Sequence, residues 1–180
     1  MTDGPLIFIL GPSGSGKSTI GQWLSEDFDL LHIEVDRWPD GDGIDLAGIR
    51  TEWDSYISGS TSLLVWVLRS RVREAAKSGA VLTFPGGFVP SPALIIASRE
   101  GGITTVVLYG SGAECLDAFL AREETTGRRL SANHWIQNSS DSYARFSLPE
   151  YAPWRLAVFQ PHGRRSRAST VKEIATRARS

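Results

Sequence analysis

Cysteine is almost missing from this chain. Cys115 stands alone, and the three histidines (His32, His134, His162) are scattered with no H-x-x-x-H spacing, so an internal disulfide and a His/Cys metal site are both excluded. An excess of charge of either sign is missing as well. Nineteen Lys and Arg stand against twenty Asp and Glu for a formal charge of −1, which provides no overall field toward nucleic acid or an anionic membrane. No nucleic-acid or membrane partner is expected. No apolar run approaches the ~20 residues of a membrane span, and Met1-Thr-Asp-Gly-Pro has neither the basic start nor the small-residue cleavage site of a signal peptide; a cytoplasmic location is the expectation. What is present is 180 residues, 41 % of them apolar and 22 % charged, which suits one domain over 1–180 with a single sizeable core.

Five short apolar runs are bounded by Gly, Pro or Asp: Leu6–Leu10, Leu30–Val35, Ala80–Phe84, Ile103–Tyr109 and Arg155–Gln160. They are too short for helices and suit strands buried on both faces. Helical periodicity marks Ser18–Asp27, Leu46–Ile57, Leu63–Lys77, Ala113–Glu124 and Thr170–Arg179. Strands alternating with helices require crossovers, hence an α/β fold of three layers with a mostly parallel five-stranded sheet. Two stretches resist the pattern, Arg37–Asp45 and Thr125–Pro149; loops of that length in a compact domain are functional or mobile.

The strongest local signal is Gly11-Pro-Ser13-Gly14-Ser15-Gly16-Lys17-Ser18-Thr19, a full G-x-x-x-x-G-K-[ST] match between a strand and a helix. The glycines let the backbone turn its amide hydrogens inward as an anion nest, where the helix dipole adds its own attraction. Lys17 is placed to neutralise β- and γ-phosphate oxygens of ATP, and the Ser18 hydroxyl suits Mg²⁺. Glu34 and Asp36 follow at the end of the second strand. Two apart on an extended chain, they face one side at the carboxyl edge of the sheet. One carboxylate would hold the Mg²⁺ water shell while the other orients or deprotonates an acceptor hydroxyl; alternatively Asp36 only begins a turn.

In order, the phosphate loop, the acidic pair, the glycine turn Phe84-Pro-Gly86-Gly87-Phe88 and the arginines Arg122 and Arg129 resemble the shikimate kinase branch of the P-loop small-molecule kinases. The resemblance implies a three-layer P-loop NTPase fold with a mobile lid over about 122–149. It also implies ATP and Mg²⁺ as cofactors, an acceptor held near Asp36, Arg50, Gly86 and Gly87, Arg122 beside the adenine ring and Arg129 reaching the phosphates. Arg128 is an alternative to Arg129, and pairing of these arginines with Glu123 and Glu124 on a solvated helix end is the plain alternative. Arg50 is equally read as a solvated helix residue. The family has Asp where Glu34 stands and three glycines in its turn where this chain has two. Its Arg-x-Pro-x-Tyr substrate clamp is here Ser147-Leu-Pro149-Glu-Tyr151, so shikimate is not the expected substrate. Arg145, two residues upstream, is a candidate replacement.

Pro161-His-Gly-Arg-Arg165 follows the last strand, where related kinases wrap the adenine; His162 or Arg164 stacks on the base, or the turn is simply exposed and basic. Trp38 and Trp53 flank the expected acceptor region as an aromatic wall or as helix packing, and the other tryptophans are read as core or helix packing. Cys115, on an apolar helix face, is read as a small core residue. The expected function is ATP- and Mg²⁺-dependent phosphoryl transfer to a hydroxyl of a small metabolite by a monomer or weak homodimer. A nucleoside or nucleoside-monophosphate kinase and a nucleotide-binding regulator with little turnover are the alternatives.

Overall fold

A computed structural model describes residues 4–35, 50–125, 132–160 and 163–179, without the side chains of 50, 51, 132–135 and 160. Five strands, β1 (Leu6–Leu10), β2 (Leu30–Glu34), β3 (Gly79–Thr83), β4 (Ile103–Tyr109) and β5 (Arg155–Ala157), form one sheet in the order β2-β3-β1-β4-β5. Every pairing in it is parallel. The central strand shows why the fold has three layers. All five residues of β1 are buried, and alternate side chains go to opposite faces. Leu6, Phe8 and Leu10 join a core with Tyr56, Leu64, Leu68, Ile95 and Phe146, while Ile7 and Ile9 join a second with Ile20, Leu24, Val171 and Ile174.

The first core is covered by α2 (Arg50–Ile57), α3 (Ser62–Glu74), α4 (Pro92–Glu100) and α6 (Ala132–Phe146), and the second by α1 (Lys17–Phe28) and α7 (Arg167–Arg177). Another helix, α5 (Gly112–Thr125), follows β4 and buries Cys115 and Phe119. Each crossover returns the chain to the same edge, so the segments after β1, β2, β3 and β4 all open at the carboxyl ends of the strands.

Three expectations need correction. The run 155–160 is not one strand: β5 ends at Ala157, and β6 (Phe159–Gln160) pairs antiparallel with β7 (Gly163–Arg164). Val158 is the pivot, its N–H donating to Tyr109 O at 2.8 Å while its own carbonyl accepts from Arg165 N at 2.8 Å. The stretch 125–149, expected to be without regular structure, contains α6. Its inward face carries Ser139, Ser142 and Phe146, at the three- and four-residue spacing of a helix, and the small serines hide this stripe from a purely apolar reading. Of the tryptophans read as core or helix packing, Trp66 instead lies 63 % exposed on α3. An additional helix, α4, fills 92–100; its start is marked by Ser91, whose hydroxyl accepts from Leu94 N at 3.2 Å, and by Pro92 in the first turn. No helix among the described residues is long and apolar enough to cross a membrane.

Candidate active site

The turn from β1 to α1 is possible only with glycine. Gly11, Gly14 and Gly16 have φ of 143°, 77° and 89°, a region that L side chains rarely adopt. Space is equally restrictive. A Cβ on Gly11 would stand 2.6 Å from Leu108 O, and one on Gly14 would overlap the carbonyl of Cys115 in α5. The loop is thus pressed between β4 and α5 with its backbone turned inward.

Two features of this loop favour an anion. The helix α1 begins at a left-handed Gly16 with no side-chain cap and no acidic residue in its first turn. By contrast α4 and α7 are capped by Ser91 and Ser166. The first-turn amides of α1 lie at the positive end of its dipole, where an anion is favoured. Lys17 is the second feature. It is 9 % exposed, and its Nζ donates to Gly11 O and Pro12 O at 2.9 Å each. Ser15 is fully buried, its Oγ without a hydrogen-bond partner among the described residues, while Ser18 is half-buried and Thr19 exposed at the helix start.

Burial pushes the Cys115 thiol up to about 11; the charge of Glu114 adds to that shift, and the charges of Lys17 and Arg164 act against it. Cys115 itself, 1 % exposed, is a protonated core side chain, as its sequence context suggests.

Several residues singled out in the sequence lie around the loop. Glu34 is half-buried at the end of β2, in register with Thr83, which in turn is in register with Ile9. That places it two strand spacings, about 10 Å, from the strand that feeds the loop. Gly86 is buried directly against the loop, where a Cβ would come within 2.6 Å of Ser13 N; Gly87 faces open space. Trp53 stacks on Phe84 at 5.4 Å and lies 5.3 Å from Phe88, so the glycine turn is backed by an aromatic wall that also packs on the core. Arg145, at the end of α6, donates from Nη2 to Val89 O at 3.2 Å, which brings it beside that same turn.

Arg122 is placed otherwise. It pairs with its neighbour Glu123 through Nε and Nη2 at 3.0 and 2.7 Å and lies 5.5 Å from the Phe119 ring. Asp36, Trp38, Arg128, Arg129 and His162 lie outside the described residues, as does the side chain of Arg50 at the start of α2. Among the described residues no cluster of His, Cys, Asp and Glu forms a ready metal site. The oxygen donors at hand, the Ser18 hydroxyl and the Glu34 carboxylate, are hard groups of the kind Mg²⁺ takes directly or through its water shell. A cavity of about 500 Å³ bordered by Pro5, Leu30, Arg69 and Arg179 lies at the amino ends of the strands, away from this chemistry.

A parallel 2-3-1-4-5 sheet with a glycine-held lysine loop between its central strand and first helix is a fold shared with solved kinase structures. Solved structures resemble the chain along nearly its whole length. A gluconokinase from Sinorhizobium meliloti 1021 superposes with a TM-score of 0.51 at 20 % identity, covering 99 % of this chain and 94 % of that one. A shikimate kinase from Acinetobacter baumannii gives 0.53 at 17 % identity, with 96 % and 92 % covered. A tunicamycin resistance protein from Deinococcus radiodurans gives 0.52 at 19 % identity, with 96 % and 94 % covered. No protein-family model matches the chain.

Proposed function

We propose that this protein transfers the γ-phosphoryl group of ATP, with Mg²⁺, to a hydroxyl group of a small metabolite. The observation that carries the reading is the loop 11–18, where an uncapped helix start and a buried lysine Nζ held on carbonyl oxygens converge at the carboxyl edge of the sheet. The loop amides would bind the polyphosphate, and Lys17 would leave its two carbonyls for the β- and γ-oxygens, adding charge where it develops during transfer. Ser18 and the water-mediated reach of Glu34 would hold Mg²⁺, which when bound neutralises phosphate charge. Asp36, two residues beyond Glu34, takes the acceptor's proton as that oxygen bonds to the γ-phosphorus and the bridging oxygen leaves with ADP. Arg129 is assigned to the phosphates and Arg122 to the nucleotide in the closed state, where Arg122 would exchange its partner Glu123 for the ligand.

The acceptor would lie between the glycine turn 86–87, the wall formed by Trp53 and Phe88, and Arg145. Arg145 occupies the neighbourhood in which a clamp for an acidic acceptor is needed, its guanidinium being a bidentate match for a carboxylate. A melting-temperature screen of hydroxylated acids and sugars with a non-hydrolysable ATP analogue tests this. An acceptor should raise Tm only when the analogue is present, and the same compound should then gain phosphate from ATP. ATP cleavage that no acceptor accelerates would support the regulator reading instead.

A further inference from the structure

The hairpin after β5 sends one side chain back across the sheet edge onto the phosphate loop. Gly16 is packed so closely under it that a Cβ there would overlap the Nη2 of Arg164, and the same nitrogen lies 3.5 Å from Ser15 O, at the outer limit of a hydrogen bond. Its guanidinium stands 5.7 Å from the Phe159 ring on the partner strand. Its neighbours use their charge within the protein: Arg165 faces Glu173 at 3.9 Å and Arg167 binds Glu26 at 2.9 Å. Arg164 has no carboxylate partner among the described residues and is exposed. A guanidinium held over an anion nest and left unpaired is poised for a phosphate.

Its position along the loop specifies which phosphate. Lys17 Nζ sits at Gly11 and Pro12, where the loop begins, whereas Arg164 sits at Ser15 and Gly16, where it ends. The lysine of such a loop serves the β- and γ-phosphates and its amides the α- and β-phosphates, so the cation at the far end meets the α side. We infer that Arg164 is a nucleotide-binding residue that clamps the α-phosphate, making the site selective for nucleoside polyphosphates over nucleosides. This rests on reading the loop as a nucleotide site. It assigns Arg164 to phosphate rather than to stacking on the base, and it gives the β6–β7 hairpin a task. The hairpin's own backbone bonds, Arg165 N to Val158 O and the Phe159–Arg164 and Gln160–Gly163 pairs, do not involve the Arg164 side chain, so its removal leaves these bonds in place.

The test is calorimetric titration of ADP and of a non-hydrolysable ATP analogue, each with Mg²⁺, and NMR titration of adenosine, on wild type, Arg164→Ala and Arg164→Lys. Loss of one charge-assisted contact predicts an affinity about 10- to 100-fold weaker for ADP and the ATP analogue alike in Arg164→Ala. Partial recovery in Arg164→Lys and adenosine binding within about twofold of wild type complete the expected pattern. Unchanged ADP affinity in a folded Arg164→Ala protein overturns the inference, as does an equal loss for adenosine, which would place the side chain on the base. Failure of wild type to bind either ADP or the ATP analogue would instead overturn the nucleotide reading itself.

Discussion

At the residue scale the two glycines of the 84–88 turn are alike in sequence and different in space. Gly86 is closed off by Ser13 of the 11–18 loop, so any side chain there must displace that loop's backbone; a Cβ on Gly87 would meet nothing within 4 Å, and its φ is not positive. Gly86→Ala is therefore expected to weaken nucleotide binding and lower stability by about 1–3 kcal/mol, the typical cost of overpacking. Gly87→Ala should keep the stability of wild type within about 0.5 kcal/mol, as surface changes do. If Gly87 faces the acceptor, KM for the acceptor should rise in Gly87→Ala while ATP affinity holds. Urea unfolding and steady-state kinetics on the pair check this, and a stable, nucleotide-competent Gly86→Ala protein would show that the contact with Ser13 is unimportant. The glycine turn is visible in the sequence; that only one of its glycines is required by packing depends on the loop from another strand and is not.

Among the elements, α6 is where sequence pattern and structure diverge most. The stretch reads in sequence as a long polar loop because it holds few aliphatic residues, yet its buried positions Ser139, Ser142 and Phe146 fall on one helical face. Polar side chains anchor it too: Tyr143 stacks on Tyr109 at 5.3 Å and donates its hydroxyl hydrogen to Gly110 O at 2.8 Å. Phe146, fully buried and edge-on to Tyr151 at 5.5 Å, should cost about 3–5 kcal/mol when cut to alanine, read as a shift in urea midpoint. A change within about 0.5 kcal/mol is what a loop would give and would contradict the packing. The helices with strong apolar periodicity, α1, α3, α5 and α7, are legible to within a few residues. The start of α4 carries a legible signal in Ser91-Pro92 that its short length obscures, while the split of β5 from the β6–β7 hairpin is hidden because Arg155–Gln160 is largely apolar and only the double bonding of Val158 ends the sheet there.

On the scale of the whole molecule, β1 and the loop that follows it are readable because each is set by local sequence: an apolar run, then glycines at positions that demand positive φ. The proposed acceptor side is less readable, since it is assembled from α2, the 84–88 turn and the end of α6, which meet only after the sheet has formed. Arg164 shows the same limit from the other direction, lying 149 positions from the Ser15 carbonyl it approaches. The sheet brings these parts to one edge, and the cation at the base of that edge is Lys17. The most direct measurement follows the γ-phosphate of labelled ATP into a phosphorylated acceptor, comparing wild type with Lys17→Ala after their melting curves establish that both are folded. The account predicts a loss of at least about 100-fold in transfer, the scale seen when an oxyanion-stabilising donor is removed, together with weaker nucleotide binding. Transfer by folded Lys17→Ala at a rate near that of wild type would contradict it.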